Sequence, residues 1–480
     1  MFNNTSFSVC KHELKLKLKN QSIWLLFALM QILLAISLWT SWQQYQHSQN
    51  IQSTSQALVE EQWNAQPDRH PHRVAHFGHF AFRPPSVLSY FDVGVNNWVG
   101  HSVFLEAHKQ NSANFANDSH GSTLLRFSEL SIANILLLIW PLLLIVMAFA
   151  SISGERQSGT LKQLMSMGVK FRVLLVGKGL AYWLLSLSFL LPIFLITIIV
   201  ALNTDLAFTG EVMTRLGLLF ISYALYCFFW VVVILLCSSL TQSPKVSLSV
   251  LITLWFTLTV LTPRALAEIA QHLYPQKNSN DMALAVKLDV RKVGDSHKPN
   301  DPHFNAFKAK ILAEYGVTTV AELPVNYRGL VMQEGERITA EIYQRHNEKQ
   351  LQQFAAQQRF ISHFYWLNPY LAVRDLSMAL SASDQRHFSD FEQQAEQHRY
   401  NRIQKLNDLH INEIELHNDR GQRVSANFWQ QFPEFHYQQP PLAWSLQHML
   451  LAAIAPLLSL VILLLLLTRK KLQRRAIVHA

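Results

Sequence analysis

The sequence predicts an all-α polytopic membrane protein, with six transmembrane helices and a mostly helical extracytoplasmic domain. Three observations predict it. Half of the 480 residues are hydrophobic and only 15% are charged, where soluble domains carry about 25%. The deficit is concentrated in a few long apolar runs, each able to cross a hydrocarbon core of about 30 Å. Lysine and arginine gather beside those runs, on one side of the chain's alternating path. The same clustering argues against nucleic acid as the reason for a formal net charge of +9.

Residues 1–21 form a basic arm carrying Lys11, Lys15, Lys17 and Lys19, and residues 22–42 the first span. That run is longer than a signal-peptide core and no small-residue cleavage site follows it, so it is expected to stay in place. Trp39 and Trp42 close it as interfacial aromatics do. A first outer segment, 43–128, begins Gln-rich and becomes rich in His, Pro and Phe; the second span follows at 129–150. Residues 151–172 are a short cytoplasmic element. The third and fourth spans, 173–202 and 212–240, are long enough to tilt or to extend past the bilayer. The fifth, 246–264, is set off by Thr241-Gln242-Ser243-Pro244-Lys245, where Pro244 favours a turn.

The second outer segment, 265–442, is long enough to be a domain. Its stretch 334–364 is rich in good helix formers and is ended by Asn368-Pro369. A second helix is expected over 384–414, opened by an Asp of N-cap type. Pro440-Pro441 leads rigidly into the last span, 443–468, and a basic tail, 469–480, carries Arg469, Lys470, Lys471, Arg474 and Arg475. Arg156, Lys162, Lys170, Arg172 and Lys245 lie on the same side as both basic ends, while 50–68 and 203–211 have no Lys or Arg. The positive-inside rule therefore places both termini and 151–172 in the cytoplasm, as an even number of spans requires. Of the three cysteines, Cys227 and Cys237 are ten residues apart on one run, about 15 Å along a helix and too far for a disulfide. Cys10 lies in the arm, so no intrachain disulfide staples the outer segments.

The most informative stretch is Ser-Gly-Glu-Arg-Gln-Ser-Gly-Thr-Leu-Lys-Gln-Leu-Met, residues 153–165, between two spans. Gly154 can break the helix leaving the second span, which would put Glu155 near the start of a short helix, where the dipole favours an anion. Leu161, Leu164 and Met165 recur at i, i+3 and i+4 and make one apolar face. Spacing alone also fits a helix that merely lies among the headgroups.

Gly154-Glu155-Arg156, then Gly159-Thr160-Leu161 and Leu164, resembles the coupling element of ABC-2 type transporter permeases, the membrane subunits of ABC exporters. The position, between the second and third of six spans, is similar too. The resemblance implies that this helix seats in a groove of a separate ATPase subunit. It further implies that Gly154, Glu155, Arg156, Gly159, Thr160, Leu161 and Leu164 make the contact. The segments Ala75-His76-Phe77-Gly78, Phe82-Arg83-Pro84-Pro85-Ser86, Asp92-Val93-Gly94-Val95 and Phe104-Leu105-Glu106-Ala107-His108 resemble a subgroup with large extracytoplasmic inserts after the first and before the last span. Asn368-Pro369 through Asp375-Leu376-Ser377 and 391–407 are similar to it as well. No cargo follows from that likeness.

The chain has no Gly-x-x-x-x-Gly-Lys-Ser/Thr loop, and Gly177-Lys178-Gly179 lacks the spacing. No cofactor is therefore expected here, and ATP belongs on the partner. The expected partners are a cytoplasmic ABC ATPase, a second permease (identical or related) and the lipid bilayer of the inner membrane. No catalytic residues are expected: there is no Gly-x-Ser-x-Gly elbow, and nothing fixes Asp92, Glu106 and His108 into one geometry. His70, His72, His76 and His79 could ligate a metal, but without His-Glu-x-x-His or cysteines the expectation is no metal site, and the spacing leaves the question open. Pro141, Pro192 and Pro456 are candidate kinks, and Arg215 is expected to snorkel to the interface. A membrane-anchored extracytoplasmic binding or sensing protein without an ATPase is the alternative. A proton-coupled carrier is disfavoured, because no ionisable residue lies at the centre of a span.

Overall fold

A computed structural model describes residues 4–86, 88–111, 131–202, 209–294 and 301–468. The basic tail 469–480, the start of the second span at 129–130 and most of the loop 203–211 lie outside the described residues. Six helices are long and apolar enough to cross a membrane: Gln21–Asn64, Ile132–Gln157, Phe171–Leu202, Gly210–Leu240, Pro244–Leu273 and Leu450–Leu467. They are called spans 1 to 6 below, span 2 being counted only to Ala148, where its apolar helix Trp140–Ala148 ends. The only ladder among the described residues is short and antiparallel, His79–Phe82 on Ser102–Leu105.

Two spans carry a turn of π-helix just before a proline. In span 2 it covers Ile135–Ile139, ahead of Pro141; in span 5 it covers Thr257–Leu261, ahead of Pro263. Proline lacks an N–H and its ring crowds the carbonyl four residues back, so the helix widens there. The carbonyls released are satisfied by neighbouring helices, as an apolar solvent demands. Tyr226 Oη donates to Leu137 O at 2.9 Å, Trp255 Nε1 to Leu138 O at 3.0 Å and Asn368 Nδ2 to Leu258 O at 2.7 Å. Pro192 and Pro456 lie within unbroken helices.

Span 1 does not stop at 42. Its helix runs 44 residues, Gln21–Asn64, because the Gln-rich stretch after the apolar run has helix-compatible residues and no Pro or Gly. Its far end enters the outer domain, where the two outer segments share cores. Trp63, Val74 and Ala107 pack with Ile403, Leu406, Val424 and Trp429. Ala81, Val103 and Leu105 pack with Phe388, Phe391 and Phe435. Trp63 Nε1 donates to Trp429 O at 3.0 Å, and Trp429 Nε1 donates to Pro67 O at 3.2 Å. The two expected helices are present as Tyr327–Ser362 and Gln385–Glu413, the second with Asp384 as its side-chain N-cap.

Arg215 does not snorkel. It is 3% exposed, and its guanidinium donates to the carbonyls of Leu380 and Pro440 at 3.1 and 3.3 Å while pairing with Glu211 at 2.8 Å. Leu380 ends the helix Pro369–Leu380, whose last carbonyls lack intrahelical partners. An arginine there supplies donors that water would otherwise have to provide, and it ties span 4 to this helix together with the Tyr223–Ser377 hydroxyl contact at 2.8 Å.

Candidate coupling site

The element between spans 2 and 3 is two short helices, Ser153–Gln157 and Thr160–Ser166. Gly159 separates them at φ 76°, a left-handed conformation that strains any residue with a Cβ. Gly168, at φ 85°, ends the second helix. Gly154 does not make the break expected of it. The chain turns at 149–152, and Gly154 lies inside the first helix.

Serines from two other spans fix that turn. Ser238 Oγ of span 4 accepts the N–H groups of Ile152 and Ser153, each at 3.1 Å, and donates to Phe149 O at 2.8 Å. Ser247 Oγ of span 5 donates to the same carbonyl at 2.8 Å. The N-terminal amides that a helix leaves orphaned are thus capped from outside its own sequence.

The charged residues of the first helix point inward, whereas Lys162 of the second is exposed. Glu155 pairs with Lys178 of span 3 at 2.8 Å, and Lys178 pairs on its other side with Glu13 of the arm, also at 2.8 Å. Tyr182 Oη donates to Glu13 at 2.6 Å. Lys178 is only 4% exposed, and two carboxylates hold its ammonium. Arg156 is buried, donating to Ser239 O at 2.8 Å and to Thr241 O. It closes the C-terminal end of span 4, where orphan carbonyls and the negative dipole end favour a cation.

The basic arm is a helix, Asn4–Lys19, laid along span 3. Its close approach depends on Gly177, where a Cβ would lie 2.6 Å from Val9 Cβ and 2.7 Å from Ser6 O. Lys17 Nζ donates to Met147 O at the end of span 2, at 2.8 Å. Arm, elbow and span 3 therefore meet around one lysine, Lys178. Nothing in the local pattern around Lys178 marks it; only the Glu13 and Glu155 carboxylates, distant in sequence, reveal its role.

The apolar face is present as expected and is turned toward the bundle. Leu161 is 0% exposed, and Leu164 and Met165 pack partly buried against the main core. The face left open consists of Gln157, Ser158, Thr160, Lys162, Gln163, Ser166 and Met167, the last 78% exposed. Of the predicted contact residues, Thr160 is exposed and Gly154, Gly159 and Leu164 are half-buried. Glu155 is half-buried, and Arg156 and Leu161 are buried.

The histidines separate into groups. His72 and His76 meet His108, His70 meets His410 and Asp419, and His79 packs on Trp63 and His398. Asp92 accepts from Ser377 Oγ at 2.5 Å, Glu106 pairs with Lys109 at 3.6 Å and His108 with Glu336 at 3.1 Å. Those three therefore serve separate networks rather than one acid–base set.

Fold and site together define a multi-pass helical membrane protein with an anchored elbow between spans 2 and 3 and a folded domain built on spans 1, 5 and 6. Residues 33–268, which contain the elbow, match the family model described as ABC-2 family transporter protein. Residues 283–438 match a domain of unknown function (DUF3526). The chain belongs to the ABC-2 type transporter permeases and is a membrane-spanning permease subunit of an ABC transporter. Subunits of this kind are the non-catalytic membrane component. No curated protein matches the chain.

Proposed function

We propose that this permease couples ATP hydrolysis on a separate ATPase subunit to export across the inner membrane, through the elbow at 153–166. The observation that carries the reading is the elbow's anchorage combined with its open face. Glu155 ties it to span 3 and the arm, Arg156 to the end of span 4, and Leu161 to the core. An element held at three points transmits a push to all of them rather than absorbing it. The open face, with Thr160, Lys162 and Gln163, is what a cytoplasmic ATPase would meet. Glu155, Arg156 and Leu161 then act as positioning residues behind that surface.

In this reading ATP binding closes an ATPase dimer, which engages two permeases, identical or related. The elbows carry the motion into the spans, and the cargo moves outward. Both termini lie in the cytoplasm, in keeping with the lysines of the arm. The test is co-purification of the tagged, detergent-solubilised chain with an ATPase that carries a Walker A sequence. Reversing charge on the open face (Lys162→Glu) should reduce recovery of the ATPase while leaving membrane insertion intact. A chain that never brings down such an ATPase would instead be an anchored binding or sensing protein.

A further inference from the structure

His72 and His76 lie four residues apart on one short helical turn, Pro71–Ala75 with His76 at its C-cap. That spacing puts both imidazoles on one face. His108 comes from the loop after Ser102–Leu105 and meets them there. The ring centroids are 4.7 Å apart for His72 and His76, 5.4 Å for His76 and His108 and 6.1 Å for His72 and His108. One ligating nitrogen from each lies within 4.8 Å of the others. A tetrahedral ion with metal–nitrogen bonds of about 2.0 Å needs about 3.3 Å between ligands, a gap that small side-chain rotations close.

The surroundings suit a metal. Glu336, which is 0% exposed, accepts from the backbone N–H of His108 at 2.9 Å and lies 3.1 Å from its Nδ1. Arg399 holds the same carboxylate at 2.6 Å. A carboxylate on Nδ1 puts the proton there and makes Nε2 the ligating nitrogen, the arrangement that orients histidines in metal sites. His410 lies behind the cluster with its ring 6.3 Å from that of His72, and its Nε2 is clamped by Asp419 at 2.6 Å. Its buried Nδ1 has no hydrogen-bond partner.

We propose that His72, His76 and His108 form a three-histidine site for a borderline transition-metal ion of the Zn(II) class, reached from solvent past the exposed His76. Three neutral imidazoles select such ions over Mg(II) and Ca(II), and three protein ligands leave a coordination position open. The site stands apart from the coupling reading, since none of its residues touches the elbow.

The experiment uses the full chain, purified in detergent without a polyhistidine tag, with Co(II) as spectroscopic probe and Zn(II) as competitor. The expected result is one Co(II) per chain, with the absorption of a four-coordinate ion, displaced by Zn(II). His72→Ala and His76→Ala should each weaken binding at least tenfold, whereas His417→Ala and His436→Ala, at exposed histidines elsewhere, should not. His76 is exposed, so its variant is expected to fold. Absence of saturable binding, or binding that His76→Ala and His72→Ala leave within about twofold of the parent, would overturn the site.

Discussion

Glu155 of the elbow and Lys178 of span 3 lie 2.8 Å apart, and the same ammonium reaches Glu13 of the N-terminal arm at 2.8 Å. One buried cation thus joins the elbow and span 3 to an arm that lies more than a hundred residues earlier in the sequence. Removing one member of a buried ion pair leaves an uncompensated charge and costs about 3–5 kcal/mol. Lys178→Met is therefore expected to lower the unfolding midpoint in detergent and to uncouple ATPase turnover from transport. Glu155→Gln, at a partly exposed position, should uncouple with a smaller loss of stability. The reversal Glu155→Lys with Lys178→Glu should not recover coupling, because it restores opposite signs at one contact while setting a second carboxylate against the buried Glu13. Transport per ATP hydrolysed, measured in proteoliposomes, reads all three.

Gly177 predicts a separable effect. A Cβ there would meet Val9 and Ser6 at 2.6–2.7 Å, and overpacking of this kind costs about 1–3 kcal/mol. Gly177→Ala should loosen the arm from span 3, so that limited proteolysis cuts within residues 4–19 while the six spans stay protected. Unchanged resistance of the arm would show that its contact with span 3 yields easily.

Arg215 tests how the outer domain is joined to the bundle. Arg215→Met leaves the carbonyls of Leu380 and Pro440 without donors and Glu211 without its cation. The expected loss is about 3–5 kcal/mol, seen as a lower midpoint in a thiol-reactive or intrinsic-fluorescence melt. Arg215→Lys should fall between, since a lysine cannot present a planar fork to acceptors in two directions.

The outer domain should weaken in acid. Burial, the leading cause at each, pushes His72 down to about 3 and His101 and His398 down to about 4. The unfolded chain takes those protons near pH 6.5, so between pH 6.5 and about 3 it binds more protons than the folded chain, and stability falls as pH falls. Asp92 opposes this: burial raises its carboxyl to about 6, which favours the folded state as pH drops from 6 toward its unfolded value near 3.8. Burial also pushes His70 and His79 down, while it raises Asp390 and Glu396, which act with Asp92; the histidines set the direction, a net loss in acid, checked by melts of the whole chain between pH 7.5 and 4.5. His101→Gln and His398→Gln should flatten the dependence, and Asp92→Asn should steepen it.

The spans were legible because an apolar run of the right length has few other uses, and the elbow because motif and position coincide. The shared core of the two outer segments was not. The Trp63–Trp429 hydrogen bond joins residues 366 positions apart, and no local periodicity carries such a contact. Lys178 and Arg215 resemble the snorkelling cations common near the ends of spans. Only the carboxylates and helix-end carbonyls brought to them by folding show that they are buried. The amphipathic pattern of 161–165 predicted an apolar face correctly but not its direction. Leu161 faces the bundle, so the surface left for a partner is the polar one.

The most direct test of the account places a photo-cross-linking amino acid at Thr160, on the elbow's open face, in native membranes, and identifies the adduct by mass spectrometry. The account predicts a nucleotide-sensitive cross-link to a polypeptide carrying a Walker A sequence. Labelling of a cysteine at position 160 by a membrane-impermeant reagent applied outside intact cells, or cross-links confined to lipid and to this chain itself, would contradict it.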